Sequence, residues 1–265
     1  MAQRFRTLGF FVVPTPISKK CRLGSDLHFE RKAIVSAMKN LIMQELTGWK
    51  PWEAAWLLFA VTAIVAISFV RGENAIGIIS AVTGAACVVL TGKGKLSAYI
   101  FGLVNIVLYA YISYRATLYG ETMLNLLYYL PMQFVGWFAW KKHMDFRSGE
   151  VVKRRLTRKG RLISLAAIAV GTFFYGFVLK KTGDMLPFLD AFTTVASIYA
   201  MFVSIKRFAE QWIVWVVIDA FSIYMWATAF ASSSEYIATL MMWCVYLVNA
   251  IIMFCKWMGE SREEI

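Results

Sequence analysis

Eight apolar stretches, each long enough to cross the hydrocarbon core of a lipid bilayer, run through this chain with short polar breaks between them. About 20 apolar residues at 1.5 Å rise span the ~30 Å core. Inside lipid each backbone N–H and C=O must be paired without water, which leaves helices or closed barrels. Continuous apolar runs, rather than alternating ones, select helices. The stretches are 52–70, 75–91, 96–114, 118–140, 162–179, 186–205, 212–230 and 236–257. With 265 residues, 59% of them hydrophobic, they leave no room for a sizeable soluble domain. The expected fold class is all-α: a polytopic membrane protein of eight helices.

The flanks read differently. Residues 1–32 are polar and basic, with Pro14 and Pro16, and predict a poorly ordered tail. Over 32–49, Ile34, Met38, Leu41, Ile42 and Leu46 recur at helical spacing between Lys32, Lys39 and Gln44. That pattern predicts an amphipathic helix in the membrane interface, or one packed on the bundle. No secretory leader is evident, so the first span is expected to act as its own insertion signal.

The net charge of +12 has a membrane explanation rather than a nucleic-acid one. With alternate loops assigned to opposite sides, 24 of the 28 Lys and Arg fall on one side. The positive-inside rule then places both termini in the cytoplasm, and the same charges suit anionic lipid.

Catalytic signals are missing. His28 and His143 lie outside the spans, and neither belongs to a metalloprotease-type motif. Gly92-Lys93-Gly94-Lys95 lacks phosphate-loop spacing and reads as a tight turn. The four cysteines, Cys21, Cys87, Cys244 and Cys255, have no paired spacing, so neither a disulfide framework nor a metal site is expected. The chain reads as no enzyme and as needing no cofactor.

A shift of 114 residues lays Thr83 on Ser197, Phe101 on Trp215, Asn105 on Asp219 and Glu121 on Glu235. Spans two to four thus parallel spans six to eight, with span five between them restoring a parallel orientation. The expected layout is a tail and interfacial helix (1–51), an extra N-terminal span (52–71) and a first three-helix repeat (74–142). A basic loop and linker helix (143–180), a second repeat (185–258) and a short tail (259–265) follow. This plan resembles that of the SWEET sugar carriers, in which substrate binds between two parallel repeats near mid-membrane.

Polar residues form stripes on particular spans. Span three has Asn105 and Tyr109; span four has Asn125, Tyr129, Gln133 and Trp140, with Trp137 at the edge and Pro131 and Gly136 as bend points. Span six has Asp190, Thr194, Ser197 and Met201. Span seven has Trp212, Trp215, Asp219, Ser222 and Trp226, and span eight Thr239, Met242, Tyr246 and Asn249. Spans one and five carry no such stripe. A ligand path is one reading; interhelical hydrogen bonding is the other. Asp190 and Asp219 have no Lys or Arg within the spans to pair with, so a ligand cation, a bound ion or a proton is implied. A protonated or hydroxyl-bonded structural acid is the alternative. Aromatic faces suit a flat or cationic ligand, and amides suit a carboxamide or sugar hydroxyls. Trp49, Trp52, Trp56, Trp212, Trp243 and Trp257 lie near span ends and read as an interfacial belt.

The segments LNLLYYLPMQFVGWFAW, DAFTTVASIYAMF and WIVWVVIDAFSIYMW resemble the signatures of PnuC-type nicotinamide riboside transporters, and the resemblance extends over residues 73–257. Where that family often carries Gln-Trp, this chain has Met201-Phe202, so Gln133 is expected to fill the glutamine's role. The resemblance implies a multi-pass protein of the bacterial inner membrane. It would be a facilitator of nicotinamide riboside uptake, made one-way by a cytoplasmic ribosylnicotinamide kinase. It further implies that Trp137 and Trp215 flank the pyridinium ring. Gln133 and Asn249, with Asn105, would bond the carboxamide or ribose. Asp190, Thr194, Ser197 and Asp219 would serve the ribose or the positive charge, and Tyr246 would complete the site. Related architectures suggest a homotrimer. A carrier of thiamine or a sugar, or a proton-linked transporter using Asp219, is the alternative.

Overall fold

The computed structural model describes residues 43, 45–145, 147–181, 187–232 and 236–263. The expected tail, most of the expected helix over 32–49 and the repeat partner Glu235 lie outside them. Residues 45–265 form one unit.

Among the described residues, seven helices are long and apolar enough to cross a membrane. They are α1 (Pro51–Val70), α2 (Ala75–Lys93), α3 (Ser97–Arg115), α6 (Arg158–Lys181), α7 (Pro187–Ile205), α8 (Gln211–Ser232) and α9 (Ile237–Glu260). The eighth expected span is interrupted. It comprises α4 (Tyr119–Met123), a π-helical turn over Leu124–Tyr129, and α5 (Leu130–Lys141). Leu130 N–H bonds Asn125 O, one residue further back than an α-helix allows. Pro131, in the first turn of α5, has no N–H to give. The widened turn just before it absorbs the extra residue, and such bulges mark functional segments.

The 114-residue shift carries Ser97, the first residue of α3, onto Gln211, the first of α8. The packing is reciprocal. The first helix of one half (α2) lies on the third of the other (α9), while α7 lies on α5 and the π-turn. α1 leans on α2 and α9, and α6 packs on α7. The outer face of α6, including Leu162, Ile163 and Phe174, is exposed and suits lipid. Small residues explain the tight seam at α2: Gly77, Ser80, Ala81, Gly84, Ala85 and Ala86 are all buried. Without side-chain bulk, neighbouring backbones approach closely.

The helix ends that carry the basic loops form what is here called the basic end; the opposite ends form the far end. The segment expected as a plain basic loop folds into a strap. Two-residue strands β1 (Met144–Asp145) and β2 (Glu150–Val151) pair antiparallel, and β3 (Arg154–Arg155) pairs with β4 (Arg262–Glu263). The strap bonds the equivalent turn of each half. Val151 N–H donates to Gly94 O at 2.8 Å, and Arg154 N–H to Arg207 O at 2.9 Å. Both turns end a helix in left-handed backbone, at φ 81° for Gly94 and 67° for Arg207. That conformation is ordinary for glycine and uncommon for arginine. The Arg207 guanidinium also donates to Val152 O at 3.1 Å.

Several lysines counted as loop charges are interior. Lys93 pairs with Glu53 at 2.6 Å and Glu150 at 2.7 Å, and Lys256 pairs with Glu53 at 2.6 Å. Lys95 donates to Thr47 O at 2.8 Å and Gly149 O at 2.9 Å. Burial pulls the Lys95 ammonium below its ordinary value, against the nearby Glu45 and Glu150. Lys153 bridges Glu150 and Glu260. These residues latch α1, α2, α9 and the strap together rather than meeting lipid headgroups.

The tryptophan belt needs correction too. Trp212, Trp243 and Trp257 are buried within the bundle, whereas Trp52 is exposed. Trp257 donates its indole N–H to Gly92 O at 2.7 Å and packs on Trp212 and Trp140. A buried indole needs such a partner; a belt residue would find it in water.

Candidate functional site

Between the two halves lies a cavity of about 150 Å³. Every described helix lends a residue to its lining except α1 and α6. Near the basic end it is bounded by Thr91, Tyr99 and Trp212; at mid-height by Asn105, Gln133, Ser197, Trp215, Asp219 and Tyr246; towards the far end by Tyr109, Glu121, Asn125 and Trp243. Six of the ten residues expected at a site therefore share one chamber: Asn105, Gln133, Ser197, Trp215, Asp219 and Tyr246.

The other four sit elsewhere. Asn249 is fully buried, but its amide is spent on helix contacts: Nδ2 donates to Val88 O at 3.0 Å, and Oδ1 accepts from Trp56 Nε1 at 3.3 Å. It joins α9 to α2 and α1. Trp137 packs in the cluster of Trp140, Trp212 and Trp257, off the lining. Asp190 is exposed in the first turn of α7, and Thr194, one turn on, does not reach the cavity.

The polar groups of the chamber fall into two kinds. Asn105 is braced: Nδ2 donates to Ser80 O at 2.8 Å, and Oδ1 accepts from the Tyr246 hydroxyl at 3.4 Å. This fixes two cavity walls against each other. Gln133, Asp219 and Trp212 are open. Asp219 is 2% exposed, and its Oδ1 has no hydrogen-bond partner among the described residues. The same holds for the indole N–H of Trp212. Buried polar atoms are nearly always paired, so these orphans on a cavity wall await a ligand or water. Among the described residues no Lys, Arg or His lines the cavity, whereas Asp219 and Glu121 both do. Its field therefore favours a cation.

Aromatic surface surrounds these groups. Tyr129, from the π-turn, faces Trp215 with ring centroids 6.4 Å apart. At the far end Trp226 donates to the Tyr109 hydroxyl at 2.9 Å, and Trp243 stacks edge-on to Tyr246 at 5.1 Å. The ring facing Trp215 is thus Tyr129, two turns before Trp137 on the same interrupted helix.

Sequence reasoning used Glu121 only as a repeat match and missed it as a site residue. It lies inside the apolar run 118–140, and an acid within a span is itself a signal. Trp212 and Trp243 were assigned to the belt by their position near span ends, a rule blind to which way a helix faces.

Comparison with known proteins agrees with this architecture. Residues 74–259 match the nicotinamide mononucleotide transporter family. The nicotinamide riboside transporter PnuC of Neisseria mucosa is 43% identical over 216 residues, 79% of this chain and 82% of that protein. The PnuC of Haemophilus influenzae is 33% identical over 220 residues, 82% of this chain and 94% of that one. A crystal structure of the vitamin B3 transporter PnuC superposes with a TM-score of 0.74 at 40% identity, covering 82% of this chain and 95% of that chain. The chain therefore belongs to the nicotinamide mononucleotide transporter family, as a PnuC-type membrane transporter and not an enzyme.

Proposed function

We propose that the protein carries nicotinamide riboside across the bacterial inner membrane by facilitated diffusion. The observation that supports this most is Asp219: a buried carboxylate with an unpartnered oxygen, on the wall of an aromatic chamber free of basic residues. A flat pyridinium cation meets both demands. Its charge answers the carboxylate, and its ring packs against the tilted pair of Tyr129 and Trp215. A desolvated cation–aromatic contact contributes about 2 kcal/mol. The open amide of Gln133 suits the carboxamide, since it both donates and accepts. Ser197 and the Trp212 N–H suit ribose oxygens.

The reciprocal seams, α2 on α9 and α5 on α7, support alternating access by rocking of one half against the other. The basic end faces the cytoplasm in this reading, with both termini there. Phosphorylation of the ribose by a cytoplasmic kinase adds charge that the acidic chamber repels, so return is blocked without any energy-coupling module in the carrier.

The test is counterflow of labelled nicotinamide riboside in proteoliposomes with no ion gradient and no nucleotide. Saturable counterflow is expected, with net retention only when kinase and ATP are enclosed. Its absence overturns the facilitator reading.

A further inference from the structure

Glu121 has no structural task in the bundle. It is the third residue of α4, half-buried, and its carboxylate forms no hydrogen bond or ion pair among the described residues. An acid in a first helical turn commonly accepts from backbone N–H groups, but the start of α4 has no side-chain cap. A carboxylate bordering an apolar bundle without a partner is unfavourable. Nothing in the packing offsets that.

Its position is informative. Glu121 stands about 3 Å along the helix from the far-end start of α4, at 1.5 Å rise per residue. Asp219 lies about 20 Å in from the far end of α8 by the same measure. Both border the same cavity. The two acids therefore mark the mouth and the middle of one passage, and Asp219 supplies an independent sign of a ligand through its orphaned oxygen.

We propose that Glu121 is a specificity-determining residue: a charge at the far-end mouth that selects a cation over an uncharged ligand of the same shape and hands it on to Asp219. This rests on the nicotinamide riboside reading. Low-dielectric aromatic walls focus the field of a mouth carboxylate and raise the local concentration of a cation. An uncharged ligand gains nothing from it. The contribution therefore appears in capture of the cation and fades as salt screens it, the Debye length being about 10 Å at 0.1 M.

The experiment compares uptake of nicotinamide riboside with that of its uncharged 1,4-dihydro form in proteoliposomes, for wild type, E121Q and E121D. The ratio of kcat/KM for the two forms does not depend on how much protein is folded. Wild type is expected to favour the cation, with a KM that rises with salt. E121Q lowers the ratio about tenfold, mainly through KM for the cation, and flattens the salt dependence. E121D keeps the charge and restores both. An E121Q ratio and salt profile equal to wild type, or equal losses for both forms, overturns the proposal while leaving the carrier reading intact. Wild-type liposomes that move neither form overturn both.

Discussion

Lys93 Nζ lies 2.6 Å from Glu53 Oε2, with both side chains at 2% exposure or less. A lysine at the end of α2 thereby meets a glutamate in the first turn of α1. The same Glu53 accepts from Lys256 of α9 at 2.6 Å. Two cations from opposite halves of the bundle share one carboxylate, and the strap adds Glu150. Removing one partner of such a cluster strands the others without water. Lys93→Met is expected to destabilise the protein by about 3–5 kcal/mol. Thermal unfolding in detergent measures it; an unchanged Tm would show the cluster to be energetically idle.

The strap should be acid-sensitive. Burial alone raises the Glu150 carboxyl, but Lys153 and Lys93 beside it outweigh burial and hold it below its ordinary 4.5. A group with a depressed folded value contributes stability above its unfolded value and loses it as pH falls through the folded one. The protection factors of the Val151 and Arg154 amides, which remove the intrinsic pH dependence of exchange, are thus expected to hold above about pH 4.5 and to fall below it. Glu150→Gln should remove most of that pH dependence. Exchange that responds identically in both proteins would contradict the assignment.

Gly84 backs the chamber. A Cβ there would stand 2.6 Å from Met242 Sδ and 2.8 Å from Asn105 Nδ2, and would strike the Tyr246 hydroxyl. All three line the cavity. Overpacking of this kind costs about 1–3 kcal/mol. Gly84→Ala is expected to weaken nicotinamide riboside binding about tenfold, since 1.4 kcal/mol is a factor of ten. Isothermal titration in detergent checks this; wild-type affinity would mean that the braced wall does not shape the site.

Asn249 gives the opposite prediction. Its amide holds Val88 O and the Trp56 indole. Asn249→Leu leaves both without partners and is expected to cost about 1–3 kcal/mol of stability. The KM for transport should change by less than about twofold, because no ground-state contact is lost. A large KM change at wild-type stability would return Asn249 to the site.

Gln133 and Asn249 show where the sequence stops being informative. Both are amides deep in apolar helices, and each satisfies the same rule: a polar group in lipid needs a partner. Nothing in the linear pattern says whether that partner is a neighbouring helix or a ligand. Only the packing separates them, since Asn249 is saturated by α1 and α2 while Gln133 opens on the cavity. The same holds for Trp212 and Trp215, three residues apart on α8. Distance from the helix end marked Trp212 as belt, but the helix turns it inward.

The all-helical, membrane-spanning character of the chain was legible in the sequence itself, because hydrophobic length and backbone hydrogen bonding in lipid admit few other solutions. The stripes on five of the spans, and their absence from α1 and α6, were equally legible. Tertiary structure decided the rest. It turned a basic loop into a strap stitched to both halves, buried lysines that looked solvated, interrupted the fourth span with a π-turn, and set Tyr129 rather than Trp137 beside Trp215. Each of these depends on which groups find partners across tens of residues, and a one-dimensional pattern records the need for a partner without recording its identity.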